Sequence, residues 1–194
     1  MDIKDFHNKF EIFSKCIEDQ FKYGGKKYAS TSETKEATDI LFDTFGHSWL
    51  VGTMCKYVFR YRNLARSRDM FKIATYCYLV YLKRGFHWVP SGITHPPIDT
   101  NIKIKEQYFN DFINTVTKGI KELEEDIQTH ILSREEILNN IQSQLIEWSK
   151  NAFSNIKKED IFLIFIYTYL EWYKSYGHLP IEQQDKDTNN ETKT

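Results

Sequence analysis

Two sets of side chains in this sequence have types and spacings that could do chemistry. The first is cationic. Lys56 and Arg60 stand one helical turn apart, Trp49 and Gly52 precede them at steps of three and four, and Arg62, Arg66 and Arg68 follow within eight residues. Further on, Asp69, Lys72 and Tyr76 repeat the same steps. Such a cluster suits a polyanion, a nucleotide phosphate for instance: ammonium groups neutralise charge and a guanidinium fork binds phosphate oxygens in pairs. The second set is acidic. Glu33, Glu36, Asp39 and Asp43 fall at steps of three, three and four, so a helix would put their carboxylates on one face. Such a row can hold Mg²⁺ through one or two oxygens, with substrate phosphate completing the shell. The plainer reading of that row is a solvated face, since carboxylates are common on helix surfaces.

The elements that must position these groups are helices. The stretch from Trp49 to Arg84 reads as two helices joined by a basic loop, Tyr61 to Arg68. This hairpin brings Arg60 close to Asp69 across the turn. It gathers Lys56, Arg60, Lys72 and the loop arginines at one end. The second helix holds Phe71, Ile73, Ala74, Cys77, Tyr78, Val80 and Tyr81, apolar almost all round, and therefore belongs in the middle of a bundle. Upstream, Ile3, Phe6, Phe10, Phe13, Ile17 and Phe21 mark an amphipathic helix that should end at Gly24-Gly25. Lys26 and Lys27 follow, and a Gly-Gly-Lys-Lys turn could offer backbone N–H groups and two ammonium groups to a phosphate. Ser30 and Glu33 have capping-box spacing, so the acidic helix should start there, and Gly46 should break it.

The second half carries stripes and no visible catalytic constellation. Phe109, Phe112, Ile113, Val116, Ile120 and Leu123 form one. Leu138, Ile141, Leu145 and Trp148 form another, behind a capping box at Ser133 and Glu136. A third helix spans Asp160 to Tyr173. Packing or association is the expected work of this half. Residues 86–105 hold three of the four prolines and read as one long irregular connection, with Trp88 a further candidate for stacking on a base. Every periodic segment has the helical repeat, so the fold expected is all-α, six or seven helices around the basic-turn hairpin. A single domain is expected over residues 1–180, with the nucleotide-site half at 23–84, the packing half at 106–176, and a polar, disordered tail at 181–194.

The 194 residues suffice for one full core. A net charge of −1 counts against a nucleic-acid-binding polycation and points instead to a local anion site. Cys16, Cys55 and Cys77 are odd in number and sit in apolar patterns, which suggests buried free thiols and a cytoplasmic setting. The N-terminal residues lack the apolar core of a signal peptide, and the longest apolar run, 161–170, is too short to cross a bilayer.

The pattern Gly52-x-x-x-Lys56-Tyr57-x-x-Arg60, then Asp69-x-x-Lys72 and Tyr78-Leu79, resembles a small phage domain. That domain occurs in the podophage nucleotide kinase, which lacks a P-loop. Tyr23-Gly24-Gly25-Lys26-Lys27-Tyr28 is similar to an element of phage dATP/dGTP diphosphohydrolases. Glu36-x-x-Asp39-Ile40-Leu41-Phe42 resembles the metal motif of MazG-type, all-α nucleotide pyrophosphatases. Met70 replaces the leucine of the first pattern, and only Glu33 and Glu36 could supply the customary first metal helix. The resemblance implies a Mg²⁺-dependent enzyme of nucleotide or deoxynucleotide metabolism, working as a homo-oligomer. On that reading Lys26, Lys27, Lys56, Arg60, Arg62 and Lys72 bind phosphates, and Trp49 or Tyr57 stacks on the base. Glu36, Asp39 and Asp43 hold the metal, and Asp39 and Asp69 serve catalysis. Two alternatives stand beside it: a non-enzymatic module that binds a nucleotide or a host protein, and an RNA or DNA binder using the arginine loop 60–68. A purely structural hairpin, with Arg60 stapled to Asp69, competes with all three.

Overall fold

The computed structural model describes residues 2–28, 37–86, 102–129 and 132–184. Seven α-helices account for most of them: α1 (Ile3–Tyr28), α2 (Ala37–Leu64), α3 (Ser67–Lys83), α4 (Ile102–Glu122), α5 (Glu124–Thr129), α6 (Arg134–Lys150) and α7 (Lys158–Tyr176). One 3-10 turn, Ile181–Gln183, follows, and no strand occurs among the described residues. The architecture is all-α, as the periodicity predicts. No described helix is long and apolar enough to cross a membrane.

Helix α3 lies at the centre, because it is apolar on nearly every side. From Ser67 to Leu82, thirteen of its residues are buried. It packs on α2, α7 and α1. The aromatic stripe of α1 closes over this centre: Phe6, Phe10, Phe13 and Ile17 are all buried. Phe13 meets Phe71 at 5.4 Å and Trp172 at 5.2 Å, and Phe10 meets Tyr169 at 4.9 Å, so α1 locks α3 and α7 together through ring contacts. Helix α6 starts at the expected capping box. Ser133 Oγ accepts from the Glu136 N–H at 3.2 Å, and Glu136 Oε2 accepts from the Ser133 N–H at 2.7 Å.

Four boundaries differ from the sequence reading, each for a local reason. Helix α1 runs through Gly24 and Gly25 to Tyr28. Glycine costs a helix about 1 kcal/mol relative to alanine but does not end it unless the backbone turns left-handed. The Gly-Gly-Lys-Lys turn is therefore absent. The basic loop shrinks to Ala65-Arg66, since α2 carries Arg62 and α3 carries Arg68. Arginine is a good helix former, and only a residue at positive φ stops α2: Ala65, at φ 44°, donates its N–H to the Tyr61 carbonyl at 2.8 Å. Helix α4 begins at Ile102, inside the span 86–105 read from the sequence as irregular. Residues 181–184, read from the sequence as tail, are structured, with Ile181–Gln183 forming a 3-10 turn. Gln184 is buried, accepts from the Trp172 indole N–H at 3.0 Å and donates to the Leu179 carbonyl at 3.2 Å.

Gly46 does break α2, but as a kink inside it. Its backbone sits at φ 59°, ψ −149°, a region essentially closed to other residues. The segment 37–45 is thereby set at an angle to 47–64. Of the thiols, Cys77 is buried as expected, while Cys16 and Cys55 are half-buried.

Candidate functional site

The facing flanks of α2 and α3 bring together most of the predicted cationic and aromatic residues. Tyr76 of α3 lies between two rings of α2: Trp49 at 5.7 Å, edge-on, and Tyr57 at 6.0 Å, tilted. All three are half-buried against the core. Steps of three and four on each helix put them there: 49, 56–57 and 60 on one side, 69, 72 and 76 on the other. The Lys56 ammonium sits 4.5 Å from the Tyr57 ring centre and the Arg60 guanidinium 4.9 Å from it. Lys56 is exposed and Lys72 half-buried. The result is a short aromatic ladder with cations along its edge.

Arg60 reaches Asp69 across the turn. Its Nε donates to Oδ1 at 2.8 Å and to Oδ2 at 2.9 Å, and Nη2 also donates to Oδ1. Asp69 is fully buried, whereas the Arg60 side chain is 36% exposed. The carboxylate lies beneath the guanidinium and aims it. Asp69 thus offers no open face to a substrate in this arrangement. It acts on Arg60 instead, holding the fork beside Tyr57. Arg62, expected in the phosphate cluster, turns away to α6, where Nη1 donates to Glu135 at 2.7 Å and Nη2 to Asn139 at 2.8 Å.

The acidic row is only partly within view. Glu33 and Glu36 lie outside the described residues, as do Trp88 and the side chains of Lys26 and Lys27. Asp39 is buried, and its Oδ1 accepts from Lys83 Nζ at 2.6 Å. The Lys83 side chain is only 7% exposed. The same ammonium lies 4.8 Å from the Phe42 ring, and His47 meets that ring edge-on at 5.0 Å. Burial, and then the Arg84 charge, hold the His47 imidazole below the ordinary histidine pKa. Asp43 is exposed. Of the predicted Mg²⁺ set, Asp39 and Asp43 are the two members in view. A buried lysine already balances the Asp39 charge, and an ion at Asp39 would stand beside that ammonium. Among the described residues, no group of three histidine, cysteine, aspartate or glutamate side chains is placed to hold a metal.

The second half does more than pack. Glu171 of α7 is fully buried and reaches across to the hairpin. Its Oε1 accepts from the Tyr61 hydroxyl at 2.7 Å and from Ser175 at 2.8 Å, and Arg134 Nε stands 3.7 Å away. Arg134 Nη2 also donates to the Tyr61 carbonyl at 3.2 Å, and its guanidinium lies 4.8 Å from the Tyr61 ring. Burial, and then the Glu171 charge, push the Tyr61 hydroxyl well above the usual tyrosine range. Sequence reasoning missed this cluster because its central pair, Tyr61 and Glu171, lies 110 residues apart. One signal was present: Glu171 is the single acid in the run 161–173, and a carboxylate inside a buried helix needs a partner.

A groove of about 610 Å³ between α1 and α4, floored by Phe10, Phe109 and Ile113, contains none of the predicted site residues. Compared with known protein families, with curated proteins and with solved structures, the chain matches none of them.

Proposed function

We propose that this chain binds a nucleotide or deoxynucleotide on the α2–α3 face, with the base against Trp49, Tyr57 or Tyr76 and the phosphates toward Lys56, Arg60 and Lys72. The observation that carries the reading is the pairing of ladder and charge on one flank, Tyr57 having both Lys56 and Arg60 within 5 Å of its ring centre. A ring face accepts any base by stacking, and a cation at its edge accepts the phosphate that follows. The resemblance of the Lys56-Tyr57-x-x-Arg60 and Asp69-x-x-Lys72 blocks to a phage nucleotide-kinase domain supports the same ligand class.

The reading is of a binding module. Both aspartates that a phosphoryl or pyrophosphoryl transfer would draw on are engaged, Asp39 by Lys83 and Asp69 by Arg60. Titration calorimetry with nucleoside mono-, di- and triphosphates, with and without Mg²⁺, tests it. Saturable binding is expected, weakened about tenfold or more in Lys56→Ala or Tyr57→Ala, one charge-assisted or stacking contact being worth about 1.5–3 kcal/mol. Binding of no nucleotide, or unchanged affinity in both variants, would remove the proposal. Chromatography of the same mixtures reads turnover, and turnover with Mg²⁺ would replace the module by the enzyme.

A further inference from the structure

Gly52 has no role in the fold that alanine would not fill better. It stands in the middle of the helical segment 47–64, exposed, and a Cβ built on it would meet none of the described atoms within 4 Å. Unlike Gly46 and Gly85, it takes no positive φ. Unlike Gly177, where a Cβ would lie 2.6 Å from the Tyr173 carbonyl oxygen, it has no close neighbour among the described residues. Glycine inside an exposed helix is less stable than alanine, because its backbone has more freedom to lose on folding. What glycine offers at such a place is close access to the backbone for a ligand.

Its neighbours along the helix belong to the nucleotide face. Trp49 precedes Gly52 by three residues and Lys56 follows it by four, so all three share one side of α2, and Arg60 continues the row one turn further. Trp49 is half-buried and Lys56 is exposed. Gly52 is thus the gap between an aromatic ring and the first cation of the row. A nucleotide has the same order of parts: a flat base, a sugar, then phosphates. With the base against Trp49 and the first phosphate at Lys56, the part that crosses Gly52 is the sugar. Peptide groups inside a helix bond along its axis, so the sugar meets this backbone by close fit and not by hydrogen bonding.

We propose that Gly52 is a positioning residue of the nucleotide site: the sugar of the ligand lies over its bare backbone, with the base against Trp49 and the phosphates running from Lys56 toward Arg60. This selects Trp49 among the three rings as the partner of the base, and it sets the direction of the ligand along α2. A methyl group at position 52 would lift the sugar from the helix and draw the base and the phosphates off their partners together. The role presupposes nucleotide binding on the α2–α3 face, and the experiment separates the two.

The full chain, Gly52→Ala and Gly52→Leu are titrated in a calorimeter at low ionic strength with a nucleoside triphosphate and, in parallel, with inorganic tripolyphosphate. Gly52→Ala should raise the thermal midpoint by about 2–4 °C, as alanine in an exposed helix does. It should nevertheless weaken nucleotide binding about fivefold or more, and Gly52→Leu should weaken it further. Tripolyphosphate has no sugar and should bind the wild type and both variants alike. Trp49→Leu, which keeps apolar bulk without the indole, should weaken the nucleotide and spare tripolyphosphate. Nucleotide affinity unchanged in both Gly52 variants, or in Trp49→Leu, would overturn the role, while losses in Lys56→Ala and Tyr57→Ala would leave the site itself standing. Equal weakening of nucleotide and tripolyphosphate would put phosphate over Gly52 and overturn the role as well. A wild type that binds no nucleotide would remove the site and this role with it.

Discussion

At the residue scale, the Arg60–Asp69 pair decides what the hairpin is for. Asp69 has no exposure at all, and removing its guanidinium leaves a buried carboxylate without its main counter-charge. Arg60→Ala should therefore destabilise the fold by about 3 kcal/mol, the low end for a buried pair because the arginine side is open to water. Urea denaturation measures this. Arg60→Asp with Asp69→Arg should recover part of that loss, as a rebuilt pair would. Full recovery of nucleotide affinity in the swapped variant would show that Arg60 has no phosphate role. His47 allows a second prediction. Its folded pKa is depressed below the ordinary 6.5, so it stays neutral in the fold while the unfolded chain takes up a proton. Stability should accordingly fall as pH drops below about 6.5, through the window down to the folded pKa. His47→Asn should flatten that slope in urea titrations at pH 5 to 7, and an unchanged slope would locate the acid sensitivity elsewhere.

At the element scale, the two breaks in the hairpin differ in how visible they were. Gly46 was legible as a break because glycine alone suits φ 59°, ψ −149°, although kink and terminus look the same in sequence. Ala65 was not legible. Alanine gives no sign of a left-handed residue, and the Tyr176 hydroxyl, which donates to its carbonyl, comes from 111 residues away. The basic run 60–68 therefore read as a loop, when most of it is helix. Gly24-Gly25 failed in the opposite sense, since glycine marks a helix end only where the backbone reverses. The stripes of α1, α4 and α6 were read correctly because burial obeys the 3.6 repeat whatever the partner. A substitution tests the kink. A Cβ at Gly46 meets no atom within 4 Å, so Gly46→Ala should cost about 1–3 kcal/mol through backbone strain alone. Thermal denaturation of the variant reads it, and a loss near zero would mean that the kink straightens freely.

At the scale of the whole molecule, the question is whether the two halves unfold as one. Apolar contacts join them along α3 and α7, but apolar contacts tolerate sliding. The Tyr61–Glu171 bond fixes the register, because a buried carboxylate must keep its donors. The hairpin and α7 also share Arg134, which touches the Tyr61 carbonyl, the Tyr61 ring and the neighbourhood of Glu171. Trp49 lies in the first half, and Trp148 and Trp172 are buried in the second. Far-UV circular dichroism follows all helices at once. If the halves form one cooperative unit, tryptophan fluorescence and circular dichroism should give the same urea midpoint. Tyr61→Phe removes one hydroxyl and leaves the ring in place. The loss should be about 1.5–3 kcal/mol, the value of a hydrogen bond to a charged acceptor. It should move both midpoints together. Combining it with Glu171→Gln should cost less than the two separate losses added, since each variant breaks the same bond. Two midpoints in the wild type, or a Tyr61→Phe shift seen by one probe only, would divide the chain into units that fold apart.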